Sequence, residues 1–534
     1  MVGLSSIIAV TLMSILAGLL YRLLSIGSRD SRLPPGPATV PILGNILQIP
    51  REQPFLKFTE LAKSYGGLFT LKVGPSTIAF ITDRKIAREI FDQKSSISSN
   101  RPPSYVANDL IGEHDQPLFM PYGLRWRETR KVFHQNFMES VVENDYMKLV
   151  HAEGAQMLRD FMLDSEHYMD HPQRFGNSIM MCIIFGVRAP SVGTSYMHRI
   201  FDALEQFVEI VRIVPVDVFP FLKYVPESLF GNWISRAKEV KRIMLDTYTV
   251  SVDHVKNRRK RVGVRNSFVD RLLDDKKLGF TDQRLGFTAG ALMAAGSDTT
   301  ASMIMCFLQA MVKWPEFARR AQKQIDAIVR EDRSPTWDDF KDLPYVMAIV
   351  KECMRWRPAT PLGIPHCLDE DYWVDGKLLP KGTTLTLNVW GLHHDEKYFP
   401  DPDTFNPERY RDKTLLSAHY VNSSDYANRD HYGYGAGRRI CPGLHLAERN
   451  MFVAMAKLLW AFDFEKFIDP VTGEVAEPDS DIVTGYNSDG LVMLANPFKM
   501  KVTPRSEARR ETIMREFAHA EGEVFAKYDE KIDE

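Results

Sequence analysis

The sequence predicts a folded body with a buried central helix, carried behind a single N-terminal transmembrane helix, on three observations. Twenty residues from Val2 to Tyr21 carry no charge, and a second run, Leu285 to Val312, holds one acid, Asp298, in 28 residues. The third is a glycine-framed cysteine, Cys441, followed at once by the helical run Leu444 to Met451. The balance of the 534 residues sets the class around these stretches. Lys plus Arg number 67 against 69 Asp plus Glu, a net charge of −2, so no basic field is present to hold nucleic acid. A hydrophobic share of 44% with 25% charged residues is that of a folded globular chain. Five cysteines, none in a CxxC pair, exclude a disulfide scaffold or a zinc ribbon and fit a reducing compartment.

In chain order the first element is the anchor, residues 1–24. Twenty helical residues reach roughly 30 Å, the thickness of the hydrocarbon core of a bilayer. A cleaved signal peptide would carry its positive charge ahead of the apolar run, whereas Arg22, Arg29 and Arg32 come after it. By the positive-inside rule that order retains the helix and leaves the body in the cytosol. Residues 25–37 read as a proline-rich hinge. Pro34-Pro35-Gly36-Pro37 fixes backbone dihedrals and disfavours helix, making a stiff spacer that holds the body off the membrane. The globular body runs from 38 to 503. Residues 504–534 are half charged, with Ile513, Phe517, Val524 and Tyr528 at helical spacing. They read as a solvated helical appendage, because so few apolar residues bury little area.

Within the body, Leu285 to Val312 reads as a buried central helix. Gly286, Gly290, Ala291, Ala294, Ala295 and Gly296 make its middle small, so that something flat or a neighbouring backbone can approach closely. An acid in such a run is costly unless it is paired or used, and for Asp298 both roles stay open. Glu352 and Arg355 are three apart and share a helical face. Arg409, in the proline-broken meander 402–409, completes a Glu-Arg-Arg network if that loop folds back. His393-His394-Asp395 reads as structural, since adjacent histidines on a non-helical segment seldom converge on one metal ion. Around Cys441, the glycines between Tyr434 and Gly443 let backbone amides turn toward the sulfur. The helix that follows adds the positive end of its dipole, and together these stabilise the thiolate that a soft metal ligand requires.

At these residues the chain resembles the cytochrome P-450 superfamily, the haem-thiolate monooxygenases. The ligand-loop pattern FxxGxRxCxG is met at every fixed position but the first, where Tyr434 stands for the usual Phe. Ala295 to Thr300 resembles the oxygen-activating helix, and Glu352 with Arg355 and Arg409 resembles the ExxR pair with its loop arginine. Trp126 to Arg130 looks like the helix whose Trp and second Arg hold a haem propionate. The resemblance, from the prolines at 34–37 to about Thr503, implies a mainly helical fold with a smaller β region around a buried haem b. It implies Cys441 as the axial ligand, whose electron donation to iron favours O–O bond cleavage. It implies Trp126, Arg130, His366 and Arg439 as propionate-binding residues. Asp298 and Thr299 become the catalytic pair that delivers protons during oxygen activation, with Ala295 and Gly296 opening room for dioxygen.

The same resemblance lines the substrate pocket with Ser104 to Met120, Phe201 to Ile213, the central helix near Ala291, Thr360 to Ile364, and the hairpin-like Thr484 to Leu491. These stretches are largely apolar, so a hydrophobic small molecule is expected. Phe219 to Tyr224 reads either as an aromatic lip dipping into the bilayer or as ordinary core. The expected function is oxidation of such a molecule with O2, hydroxylation being the expected form. The chain looks closest to fungal microsomal members that tailor secondary metabolites, with the catalytic body on the cytosolic side of the endoplasmic reticulum. No GxGxxG is visible, so NADPH-derived electrons come through a separate flavoprotein reductase. Arg125, Arg127, Lys131 and Arg438, flanking the haem face by resemblance, would attract it. A haem-thiolate isomerase or dehydratase and a non-catalytic haem sensor are the alternatives, and neither has a use for the Asp298-Thr299 pair.

Overall fold

A computed structural model describes residues 3–193, 195–213, 216–487 and 491–528, with backbone alone at 4–6, 195–198 and 212–213. Val2 of the predicted anchor, residues 488–490 of the predicted hairpin and 529–534 of the tail lie outside the described residues. Helix takes 56% of the chain and strand 9%, as the helical reading requires. The longer helices are α1 (Leu4–Ser25), α2 (Pro54–Tyr65), α3 (Leu124–Phe137), α4 (Met147–Leu163), α5 (Asp170–Phe185) and α6 (Ser195–Ile213). They continue with α7 (Trp233–Val262), α8 (Asp282–Lys313), α9 (Pro315–Ile328), α10 (Pro344–Trp356), α11 (Leu444–Ala461) and α12 (Glu507–Glu523). A four-stranded sheet joins β1 (Leu68–Val73), β2 (Ser76–Ile81), β3 (His366–Cys367) and β4 (Thr384–Leu387) in the order β1-β2-β4-β3. β2 and β4 run parallel and the other two pairs antiparallel.

The central helix is α8. Thr281 caps it, accepting the Arg284 N–H at 3.2 Å, and α5, α7, α10 and α11 surround it. Its small residues serve that packing. A Cβ on Gly290 would lie 2.2 Å from the Tyr248 ring of α7, and one on Gly296 2.5 Å from Met180 Sδ of α5. On the facing helix, a Cβ on Gly176 would lie 2.9 Å from Ser297 O. Gly296 serves the α5–α8 crossing, and its neighbour Ala295 lines the cavity.

Every side chain from Ile7 to Ser25 is exposed, so among the described residues α1 packs on nothing, whereas the less apolar but equally span-length α8 is mostly buried. The segment behind α1 is not a free spacer. Arg29 donates to Thr70 Oγ1 at 2.5 Å, Thr70 O at 2.6 Å and Pro34 O at 2.9 Å. Thr70 N–H in turn donates to Pro35 O at 2.9 Å. The prolines are non-helical as expected, but they are docked on β1, because their unpaired carbonyls find donors there.

The C-terminal segment also departs from expectation. Ile513, Ala520, Val524 and Phe525 are buried against the body, and the Arg188 guanidinium stacks 3.4 Å from the Phe525 ring centroid. Several of its polar groups are held by the body: Arg509 pairs with Asp326 at 2.8 Å, and Glu516 accepts the Ser334 N–H at 2.7 Å. A count of apolar residues misjudged a helix that is held as much by polar partners from other segments.

The predicted network forms. Arg355 donates to both Glu352 oxygens at 2.8 and 2.7 Å, and Arg409 stands 3.5 Å from Glu352. Glu352 and Arg355 are fully buried. The 402–409 meander ends in one 3-10 turn, Pro407–Tyr410. His393 accepts the Tyr432 N–H on Nε2 at 2.7 Å, and His394 stacks on Trp390 at 3.7 Å, so both are structural.

Candidate active site

The cysteine loop forms one side of the site. Gly435 and Gly437 take φ of +74° and +64°, and a Cβ on Gly437 would lie 2.0 Å from Phe91 O, which leaves glycine as the residue that fits. Asp92 Oδ1 accepts the Gly437 N–H at 2.8 Å, and Arg429 donates to Gly435 O. The loop closes on itself where Cys441 N–H donates to Tyr434 O at 2.9 Å, and α11 opens three residues later. Burial raises the Cys441 thiol above its ordinary pKa, while the Gly443 N–H bonded to it and the Arg130 charge act in the other direction. The backbone donor and the following helix are thus where the glycine spacing places them.

Beside Cys441 lies a cavity of about 900 Å³. Trp126, Arg130, Asp298, Thr299, His366, Arg439 and Cys441, each singled out in the sequence, all line it. Among the described residues Arg130 has no hydrogen bond or ion pair, and burial lowers its pKa. Arg439 donates to Ser99 O at 2.9 Å and Met120 O at 2.7 Å and lies 4.3 Å over the Trp126 ring. Among the described residues it meets no carboxylate. Burial, with Arg101 and Arg130 nearby, pushes it down to about 8. Arg101 donates to Leu118 O at 2.8 Å, Ile364 O at 2.9 Å and Pro365 O at 2.7 Å, again with no acid, and burial pushes it down to about 9. A guanidinium stays charged in a protein, so these shifts measure a missing counter-charge. Three desolvated cations that repel one another require an anion to balance them, and a group carrying two carboxylates fits that need.

His366 has one ring nitrogen already engaged. Its Nδ1 lies 2.8 Å from Ser98 O, and burial beside Arg101 and Arg439 lowers its pKa well below the ordinary value. The ring is therefore neutral with its proton spent on Ser98, and Nε2 is an acceptor. Donating to a carboxylate takes a second proton, which an anion placed beside it favours.

Asp298 and Thr299 sit side by side on α8. Asp298 has no partner among the described residues, and burial alone raises it to about 7. The Thr299 hydroxyl donates to Ala295 O at 2.7 Å, so the two side chains are not bonded to each other. A relay between them requires that hydroxyl to turn toward the cavity.

The pocket walls differ in part from expectation. Phe201, Leu204 and Val208 of α6, Ala291, Thr360, Ile364 and Leu491 line it, but of Ser104 to Met120 only Gln116, Pro117 and Leu118 do. Residues 105–112 pack instead against α7. Sequence reasoning missed Arg101 and Tyr248 of α7. No local signal marks them, since their neighbours come from segments far along the chain. In the turn Pro220–Tyr224, Phe221 and Tyr224 are 62% and 89% exposed while Leu222 is buried, which favours a lip over core packing. Arg127 and Arg438 both donate to the Tyr122 hydroxyl on the outer face, and Arg125 pairs with Asp115.

A family model described as Cytochrome P450 matches residues 34–501. Among curated proteins the chain is 47% identical over 506 residues to the cytochrome P450 monooxygenase yanC of Aspergillus niger, covering 93% of this chain and 94% of the relative. It is 46% identical to the cytochrome P450 monooxygenase macC of Penicillium terrestre, with the same coverage. A third relative, the cytochrome P450 monooxygenase AOL_s00215g282 of Arthrobotrys oligospora, is 47% identical over 95% of both chains.

Proposed function

Since the chain belongs to the cytochrome P450 family and is a P450 monooxygenase, we propose that it hydroxylates a hydrophobic small molecule, an intermediate of fungal secondary metabolism. It takes NADPH-derived electrons from a flavoprotein reductase, at the endoplasmic reticulum membrane. The observation that carries this reading is Asp298, a largely desolvated acid with no partner among the described residues, next to a hydroxyl in the same largely apolar cavity as Cys441. An isomerase, dehydratase or haem sensor has no task for that acid.

The residues present fit a haem b. Cys441 would hold its iron, and Trp126, Arg130, Arg439 and Arg101 would hold its propionates, with His366 joining them once protonated. Bound there, the haem supplies the electron transfer to dioxygen. The chain does the rest. The apolar walls exclude water and orient the substrate, and the Asp298 carboxyl, which burial keeps protonated up to about pH 7, hands its proton on through the Thr299 hydroxyl. The exposed Phe221 and Tyr224 lie in lipid and admit an apolar substrate, and the basic outer face around Arg127 and Arg438 receives an acidic reductase.

The test pairs genetics with reconstitution. A producing strain lacking the gene should accumulate a compound one oxygen poorer than its product. Membranes carrying the protein should convert that compound only with reductase, NADPH and O2, consuming NADPH as they do. Conversion without NADPH or O2 would place the protein with the isomerases.

A further inference from the structure

Building on the monooxygenase reading, we propose that Tyr248 is a specificity-determining residue whose hydroxyl grips an oxygen of the substrate, so that the substrate class is an apolar molecule bearing a hydroxyl or carbonyl group. Tyr248 belongs to α7 and lies lengthwise on α8. Its Cβ is 3.1 Å from where a Cβ on Gly286 would stand, and its Cε1 and Cζ are 2.2 and 2.4 Å from that of Gly290. The ring therefore runs along α8 from Gly286 toward Gly290. The hydroxyl, one bond beyond Cζ, continues toward Ala291, Ala294 and Asp298, which line the cavity with Tyr248. Phe287 closes on the ring edge-on, with centroids 5.7 Å apart, and fixes its plane.

Tyr248 is 3% exposed, and among the described residues its hydroxyl has no hydrogen-bond partner; burial is the one influence on it. The hydroxyl is not one of the fully enclosed unpaired polar atoms, so its unpaired side opens on the cavity that Tyr248 lines, where a phenylalanine would fill the same glycine groove but offer no donor or acceptor. A ligand oxygen entering the cavity can bond that hydroxyl. Gly290 precedes Asp298 by eight residues, about 12 Å of helix rise. One small molecule can therefore hold its oxygen at Tyr248 and present a carbon near Asp298 and Thr299. A site built to bond a substrate oxygen also rejects analogues that lack it, because the site's own polar group is then stranded.

The experiment is a binding titration of the haem-loaded parent and Tyr248→Phe with two matched pairs, 1-indanol against indane and 2-tetralol against tetralin, followed on the haem absorption band. The alcohols should lose roughly five- to hundredfold in affinity in the variant, and the hydrocarbons should stay within about twofold. Equal changes within both pairs, or no change, would overturn the assignment. Binding is read without turnover, so failure of the monooxygenase reading would leave this comparison intact, and failure here would leave NADPH-dependent turnover untouched.

Discussion

An unpartnered carboxyl inside a protein has a pH dependence opposite to that of a salt-bridged one, and Asp298 is such a group. Burial raises it from 3.8 to about 7, so the folded chain binds that proton more tightly than the unfolded chain does. The group therefore subtracts stability as pH rises from about 4 through 7, and as a donor it is present below about 7 and lost above. Turnover should fall as pH rises through 7 in the parent. Asp298→Asn should lower it by roughly a hundredfold or more and flatten that limb, and a pH–rate profile of both proteins checks this. Thr299→Ala should keep haem and spend NADPH on peroxide or water. At Cys441 the expectation is sharper: Cys441→Ala should lose the thiolate-type carbon monoxide spectrum. Replacing any of the buried Cys182, Cys306, Cys353 and Cys367 should leave it. These residues were legible because each sits in a short pattern whose chemistry is local. Arg101 and Tyr248 were not, since their meaning depends on an absent counter-charge and on a groove cut by glycines of another helix.

Elements were legible where their own residues carry the reason and obscure where a partner does. The uncharged α1 and the small-residue α8 announced themselves by composition, yet composition did not reveal that Gly296 faces α5 and Ala295 the cavity. That choice is made by the 100° step of the helix against its neighbours. The tail was misjudged for the same reason, as its ion pairs and the Phe525–Arg188 stack lie across the chain. Phe525→Ala should cost about 3–5 kcal/mol, the usual range for emptying a buried aromatic site, and a denaturant titration measures it. Deleting everything after Pro504 should lower the midpoint further. The Glu352, Arg355 and Arg409 network is likewise structural. Glu352→Ala strands a buried guanidinium at a cost of roughly 3–5 kcal/mol and should yield little haem-loaded protein. Normal haem content with lost turnover would assign that network to catalysis instead.

For the whole molecule, the question is which way the body sits on its membrane, and two features of different origin bear on it. The charges expected to fix insertion are Arg22, in the last turn of α1, and Arg29 and Arg32 behind it, and by the positive-inside rule they predict a cytosolic body. The second feature is the joint. Ile42 N–H donates to Ile26 O at 2.6 Å, and Arg29 binds Thr70 of β1, so the chain leaving the membrane is fastened to the sheet within a few residues. Phe219 packs beside Gly74 at the β1–β2 turn, and Leu43 O accepts the Gly74 N–H at 3.1 Å. The exposed Phe221 and Tyr224 therefore belong to the same end of the body as the anchor, and that is the surface predicted to meet the bilayer. Protease added to sealed microsomes should digest the body and spare α1. Full protection of peptides containing Cys441 would reverse the orientation. Arg29→Ala should leave insertion unchanged, since Arg22 and Arg32 remain, but should free the joint. Protease should then cut between Ile26 and Val40 before the body is degraded, whereas the parent should resist there for as long as Arg29 holds the prolines to β1.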